Sequence, residues 1–183
     1  ETMICKLGGY NMAKTTFSGP VISKNGFQNT GPGMTVSLTA DTTLTVASHA
    51  GKILLTNDAD GKFTLPSINV NSNGGTAGDN DFNNLNNIGA SFHFYVETAA
   101  TDMDIKTDGT DKFKGAIMIG VDDGSKKAFV PGASNDVITM NGSTKGGIVG
   151  SVVSFTAIDT ATYMVHNSLL IGSGTIVTPY ADA

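Results

Sequence analysis

Three histidines (His49, His93, His166), one cysteine (Cys5) and a few close pairs of aspartates are the residues with which this sequence of 183 could do chemistry. The histidines are scattered, and none stands four residues from another across a glutamate, as a zinc-binding helix requires. His93 occupies a polar position in an alternating stretch and reads as a surface or interface residue. Asp79-x-Asp81-x-Asn83 opens like a calcium loop, but the glycine needed at the sixth position and the glutamate at the twelfth are missing. Asp58-x-Asp60 and Asp102-x-Asp104 also lack the later ligands. Ser173, between Gly172 and Gly174, has none of the outer spacing of a nucleophile elbow. Lys145 precedes its glycines, so it does not close a phosphate loop. Asn141-Gly142-Ser143 has the form of a glycosylation sequon and reads as a turn. No catalytic residue, metal site or cofactor is expected, and the chain is not expected to be an enzyme.

Composition narrows the partners. Eleven basic against sixteen acidic residues give a net charge of −5, and the basic ones do not cluster beyond Lys126-Lys127. Nucleic acid, which needs a basic patch to neutralise phosphates, is therefore not an expected partner. No apolar run reaches the length of about 18 residues that crosses a membrane, and no membrane partner is expected. A single cysteine excludes an internal disulfide. Met12-Ala-Lys-Thr-Thr reads like a translation start, which would make the first eleven residues an extension or an alternative start.

The elements that must position these residues are strands. Charged residues make up only 15% of the chain and 23 residues are glycine, a balance that favours strands and tight turns over helices. In Gly89–Gly109, Phe92, Phe94 and Val96 alternate with Ser91, His93, Tyr95 and Glu97; Met103 and Ile105 then alternate with Asp102, Asp104 and Lys106. That period of two predicts two strands side by side, each with an apolar and a wet face. Val36 with Leu38, Leu44 with Val46, Ile53 with Leu55, and Phe63 with Leu65 predict further short strands. Lys112–Val121, Val137–Met140 and Gly146–Thr156 do the same, the last as a buried strand after a glycine-rich bulge. Asn141-Gly142 is a strong hairpin signal. Ten to twelve strands are expected in all, counted as runs under the strand rules, with no repeat of fixed period and at most one helical turn near residue 85.

The expected fold is all-β: an antiparallel β-sandwich or barrel-like domain with an extended N-terminal arm. Residues 1–33 form the arm (or a first edge strand with a linker), and 34–183 the β domain. Within the latter, 69–87 is an Asn/Gly-rich surface loop, long enough to be either an interaction element or filler.

Thr16–Phe27, TFSGPVISKNGF, resembles an N-terminal stretch of structural proteins of tailed bacteriophages. Gly51-Lys52-x-apolar and Thr64-Leu65-Pro66 within Leu44–Pro66 continue the resemblance, as do Phe92-x-Phe94-x-Val96 and Ile105-x-Thr107-x-Gly109. Residues 14–165 together look like a capsid decoration (head cement) protein or a related virion structural protein; 69–87 and the tail after Leu169 depart from the pattern. The resemblance implies a homotrimer on the exterior of the capsid, with the major capsid protein as partner. A related tail fibre, knob or receptor- or glycan-binding protein is the alternative. Thr16, Phe17, Ser18, Gly19, Pro20, Val21, Ile22 and Phe27 are the expected capsid contacts, since a short β-prone arm can add a strand to an open sheet edge and Pro20 limits how far pairing runs.

Overall fold

The first six strands wind. In the computed structural model, which describes residues 32–69 and 87–183, a 3-10 turn at Pro32–Met34 leads into β1 (Thr35–Leu38) and β2 (Thr42–Thr43). A short helix α1 (Val46–His49) follows, then β3 (Ile53–Thr56), β4 (Lys62–Thr64), β5 (Ser91–Val96) and β6 (Met103–Lys106). β1, β3 and β5 lie side by side in one sheet, β2, β4 and β6 in another, and every one of these pairings is parallel. Thr35 stands beside Ile53 and Thr42 beside Phe63, so one turn of the winding takes about twenty residues. The next turn is longer because it also carries residues 69–87.

The remaining strands close both sheets. They are β7 (Lys112–Lys114), β8 (Ile117–Gly120), β9 (Lys126–Phe129), β10 (Val137–Met140), β11 (Val152–Ala157), β12 (Thr162–Ile171) and β13 (Tyr180–Ala181). The large sheet runs β1-β3-β5-β11-β12-β8-β9, with β7 also on β12; the small one runs β13-β10-β6-β4-β2. β11 pairs antiparallel with both β5 and β12, and β10 with both β6 and β13.

The described fold is thus nearly all β, as expected, but its sheets are mixed rather than antiparallel. The physical reason is in the links. Those after β1, β3 and β5 carry the chain to the other sheet instead of folding it back, so each strand's neighbour comes from the next winding turn. β5 and β6, expected side by side, therefore sit in different sheets. Other departures are local. Leu44 is buried, but Val46 begins α1 rather than continuing a strand, because the Thr45 side chain accepts from the Ser48 N–H and caps the turn. Asn141-Gly142 does not join two ladder strands; Asn141 and Gly142 both bond back to the Gly146 carbonyl in a closed loop. Lys112–Val121 is two strands, broken at Gly115, whose φ of 124° suits only glycine and whose added Cβ would lie 2.2 Å from the Val165 carbonyl oxygen.

One apolar core draws on both sheets. Phe63 of β4 and Phe94 of β5 face each other at 6.2 Å, Phe94 meets Phe155 edge-on at 5.7 Å, and Phe155 meets Phe113 at 5.1 Å. Leu54, Met103, Ile105, Ile138 and Met140 fill the space around them without exposure. Each such side chain contributes about 1.5–3 kcal/mol of burial.

Candidate functional site

The outward face of the large sheet is where the fold leaves unusual side chains. Because β5 buries Phe92, Phe94 and Val96, its alternate residues Ser91, His93 and Tyr95 point the other way. Strand register extends this into three rows. Ile53, His93, Ser154 and His166 form one, and Ser91, Thr156, Met164 and Lys114 another. Between the sheet's edges, Leu55, Tyr95, Val152, Leu169 and Met118 form the third.

Hydroxyls hold the two histidines. His93 Nδ1 lies 3.0 Å from Ser154 Oγ, His166 Nε2 lies 2.9 Å from Thr156 Oγ1, and Thr156 Oγ1 lies 2.7 Å from Ser91 Oγ. The imidazole rings stand 6.4 Å apart, nearly perpendicular. Partial burial, then the charge of His166, pushes the His93 imidazole below its ordinary value and favours the neutral ring. No carboxylate joins the rows to draw a proton out, so the arrangement lacks the orienting acid of a nucleophile-activating set. It is a carboxylate-free, hydroxyl-lined platform beside an apolar row.

The aspartate pairs serve other ends. Lys62 Nζ bridges Asp102 Oδ2 and Asp104 Oδ2, both at 3.0 Å, tying β4 to β6 and its preceding link. Desolvation lowers the Lys62 ammonium, but the hydrogen bonds to Asp104 and Asp102 outweigh it and hold it above its ordinary value. Asp104 thus belongs to the small sheet, away from His93 and Tyr95, with which the alternating pattern had grouped it; its Oδ1 is buried without a partner. Asp58 is raised by desolvation, then by its hydrogen bond to Asp60 and the charges of Asp60 and Asp41. Among the described residues no three or more His, Cys, Asp or Glu are grouped to hold a metal ion. Nor is any helix among them long and apolar enough to cross a membrane.

The two ends that flank residues 70–86 are bonded to each other. Asn69 N–H donates to Asn87 Oδ1 at 2.9 Å, Asn87 N–H to the Asn69 carbonyl at 3.2 Å, and Asn87 Nδ2 to the Ser67 carbonyl at 2.7 Å. Asp111 Oδ2 accepts from the Ile68 N–H and Asp108 Oδ2 from Ser67 Oγ. Burial raises the Asp111 carboxyl against the pull of that N–H, while at Asp108 the Ser67, Thr110 and Asp111 donors overcome desolvation and lower it. Tyr163 donates its hydroxyl to the Pro66 carbonyl at 2.6 Å, and burial raises its phenol. A hollow of about 360 Å³, lined by Phe113, Lys114, Gly115, Val130 and Pro131, carries Lys114 as its only charged lining residue.

The expected capsid-contact residues Thr16, Phe17, Ser18, Gly19, Pro20, Val21, Ile22 and Phe27, together with the arm over 1–31 and the interior of the loop over 70–86, lie outside the described residues. Asp79, Asp81 and Cys5 do so as well. His49, the last residue of α1, turns its ring back to the start of the helix, its Nδ1 accepting from the Thr45 N–H at 2.9 Å, and Ser173 and Ser143 share a hydrogen bond at 3.2 Å. Sequence reasoning missed the apolar row. Its signal is there in retrospect: Met118, Met164 and Leu169 fall at outward positions, where a solvated face would carry polar side chains. In comparisons with family models, curated proteins and solved structures, nothing matches this chain.

Proposed function

We propose that this chain is a non-enzymatic structural protein of a tailed-phage virion, which binds the outer surface of the assembled capsid and stabilises it as a decoration protein. The observation that carries the reading is the sequence TFSGPVISKNGF placed ahead of an almost entirely β domain. Within that domain, charged side chains that meet, Lys62 with Asp102 and Asp104 and Lys112 with Asp136, serve to hold strands and links. In this reading the two sheets pack as a sandwich, subunits assemble as a homotrimer, and Thr16–Ile22 with Phe27 contact the major capsid protein. No metal, cofactor, nucleic acid or membrane takes part. A cement protein needs no catalytic group: binding only the assembled shell stabilises it by RT ln(1 + [L]/Kd) per site.

Deleting residues 1–27 tests the reading. The truncated protein is expected to keep the thermal transition of the β domain and to lose binding to empty heads. Binding retained at full strength overturns it. The bonded pair Asn69 and Asn87 supports a second reading, a tail fibre or knob that contacts a receptor or glycan through 69–87, since it ties the two ends of that segment together. Incubation with host cells separates the two, because a decoration protein binds shells and a fibre protein binds cells.

A further inference from the structure

We propose that the outer face of the large sheet is the surface through which this chain associates with a second copy of itself. The row Leu55, Tyr95, Val152, Leu169 and Met118 crosses five adjacent strands, β3, β5, β11, β12 and β8, without a polar interruption. At the ~4.8 Å spacing of strands it is about 19 Å long. Ile53 widens it from the neighbouring row, and Met164 lies on the same face one row further on, beyond His166. Five of these side chains stand well exposed: Leu169 at 47%, Ile53 at 46%, Met118 at 44%, Met164 at 38% and Tyr95 at 37%. A contiguous apolar face of this kind marks an interaction surface.

Charge selects the occupant. The chain carries −5, so copies of it repel wherever their acidic residues meet. The three rows contain no aspartate or glutamate, and their only cation is Lys114, at the end of one row. A basic partner finds no carboxylate in the rows and an acidic one finds Lys114 alone, whereas a second copy brings the same carboxylate-free face. The histidines fit the same role, since burial already favours the neutral His93 ring and the hydroxyls of Ser154 and Thr156 keep hydrogen bonds to both rings under a covering partner.

This inference names the surface for the oligomer part of the reading above and rests on it there alone. Sedimentation of the full chain tests it. Wild-type protein is expected to sediment as an oligomer, and Leu169→Lys and Tyr95→Lys to weaken association at least tenfold. Val130→Lys, at a position 75% exposed outside the rows, should sediment like wild type. A monomer at every concentration, or face variants that assemble as wild type does, overturns the proposal. Peroxide footprinting of the unaltered protein gives a measurement free of folding defects. Met118 and Met164 should oxidise more slowly when concentrated than when dilute, while Met34, of similar exposure at 37%, keeps its rate. Equal behaviour of all three overturns the proposal too. Shell binding is scored separately: a monomer that binds heads refutes this inference alone, and an oligomer that ignores heads refutes only the capsid reading.

Discussion

The two faces of the large sheet are built from the same strands and differ in nearly every property. On β5, Phe92, Phe94 and Val96 are buried to within a few per cent, while Ser91, His93 and Tyr95, one residue away in each case, are partly or well exposed. The inner face is aromatic and aliphatic and joins the small sheet in one core. The outer face mixes hydroxyls, two imidazoles and an apolar row, with almost no charge. The inner face thus supplies the apolar burial, whereas the outer face joins β5, β11 and β12 through side-chain hydrogen bonds and leaves its apolar row exposed.

The largest effect expected from breaking that division is on the inner side. Phe155 touches both Phe94 and Phe113, so Phe155→Ala should lower unfolding stability by about 3–5 kcal/mol in urea titrations. Tyr95→Ala on the outer face of the neighbouring strand should change it by no more than about 0.5 kcal/mol in the dissociated chain. Equal losses would erase the distinction between the faces. Next comes Gly115→Ala. A left-handed conformation costs a non-glycine residue about 1–3 kcal/mol, and the clash with the Val165 carbonyl adds to it, separating β7 from β8. A smaller loss, about 1–3 kcal/mol, is expected for Lys112→Met, which strips the buried Asp136 carboxylate of its ion-pair partner at 2.5 Å while the Ala183 N–H still donates to its Oδ1.

The smallest effect belongs to pH. His93 titrates below its ordinary 6.5 in the folded chain, so between the two values the unfolded chain binds more protons. Stability is therefore full above pH 6.5 and drifts down as pH falls through that value toward the folded one. His93→Gln should flatten that drift in thermal melts recorded from pH 7.5 to 5; an unchanged slope would assign it to other groups.

Strands were legible in the sequence wherever alternation was clean. Phe92-His93-Phe94-Tyr95-Val96 and Met103-Asp104-Ile105-Lys106 both place their apolar residues in the core. Which sheet each strand joins was not legible. Glu97–Asp102 contains the small and polar residues that a hairpin also uses, and only the Val96 N–H to Ser151 carbonyl bond and the Thr101 N–H to Ala59 carbonyl bond reveal that the link crosses between sheets. The parallel winding escaped for a related reason, because 69–87 enlarges one turn and destroys any fixed period. Of the candidate surface, His93 and Tyr95 were visible as outward positions. Their neighbours from β8, β11 and β12 come from distant sequence, and register alone unites them.

The winding also dictates the order in which this domain can assemble as it folds. Strands β1 to β6 find their parallel partners only one full winding away, so no tight turn brings any of them together early. β11 and β12 differ: Ala157 pairs with Tyr163 across a short reversal, with the Asp159 carboxylate accepting from the Ala161 N–H inside it. That hairpin, like β8–β9 where Gly120 pairs with Lys126, can close in microseconds, whereas the winding strands must wait for loop closure. The consequence is kinetic. A defect in the β11–β12 reversal should slow folding, whereas a defect in β1 or β2 should chiefly hasten unfolding.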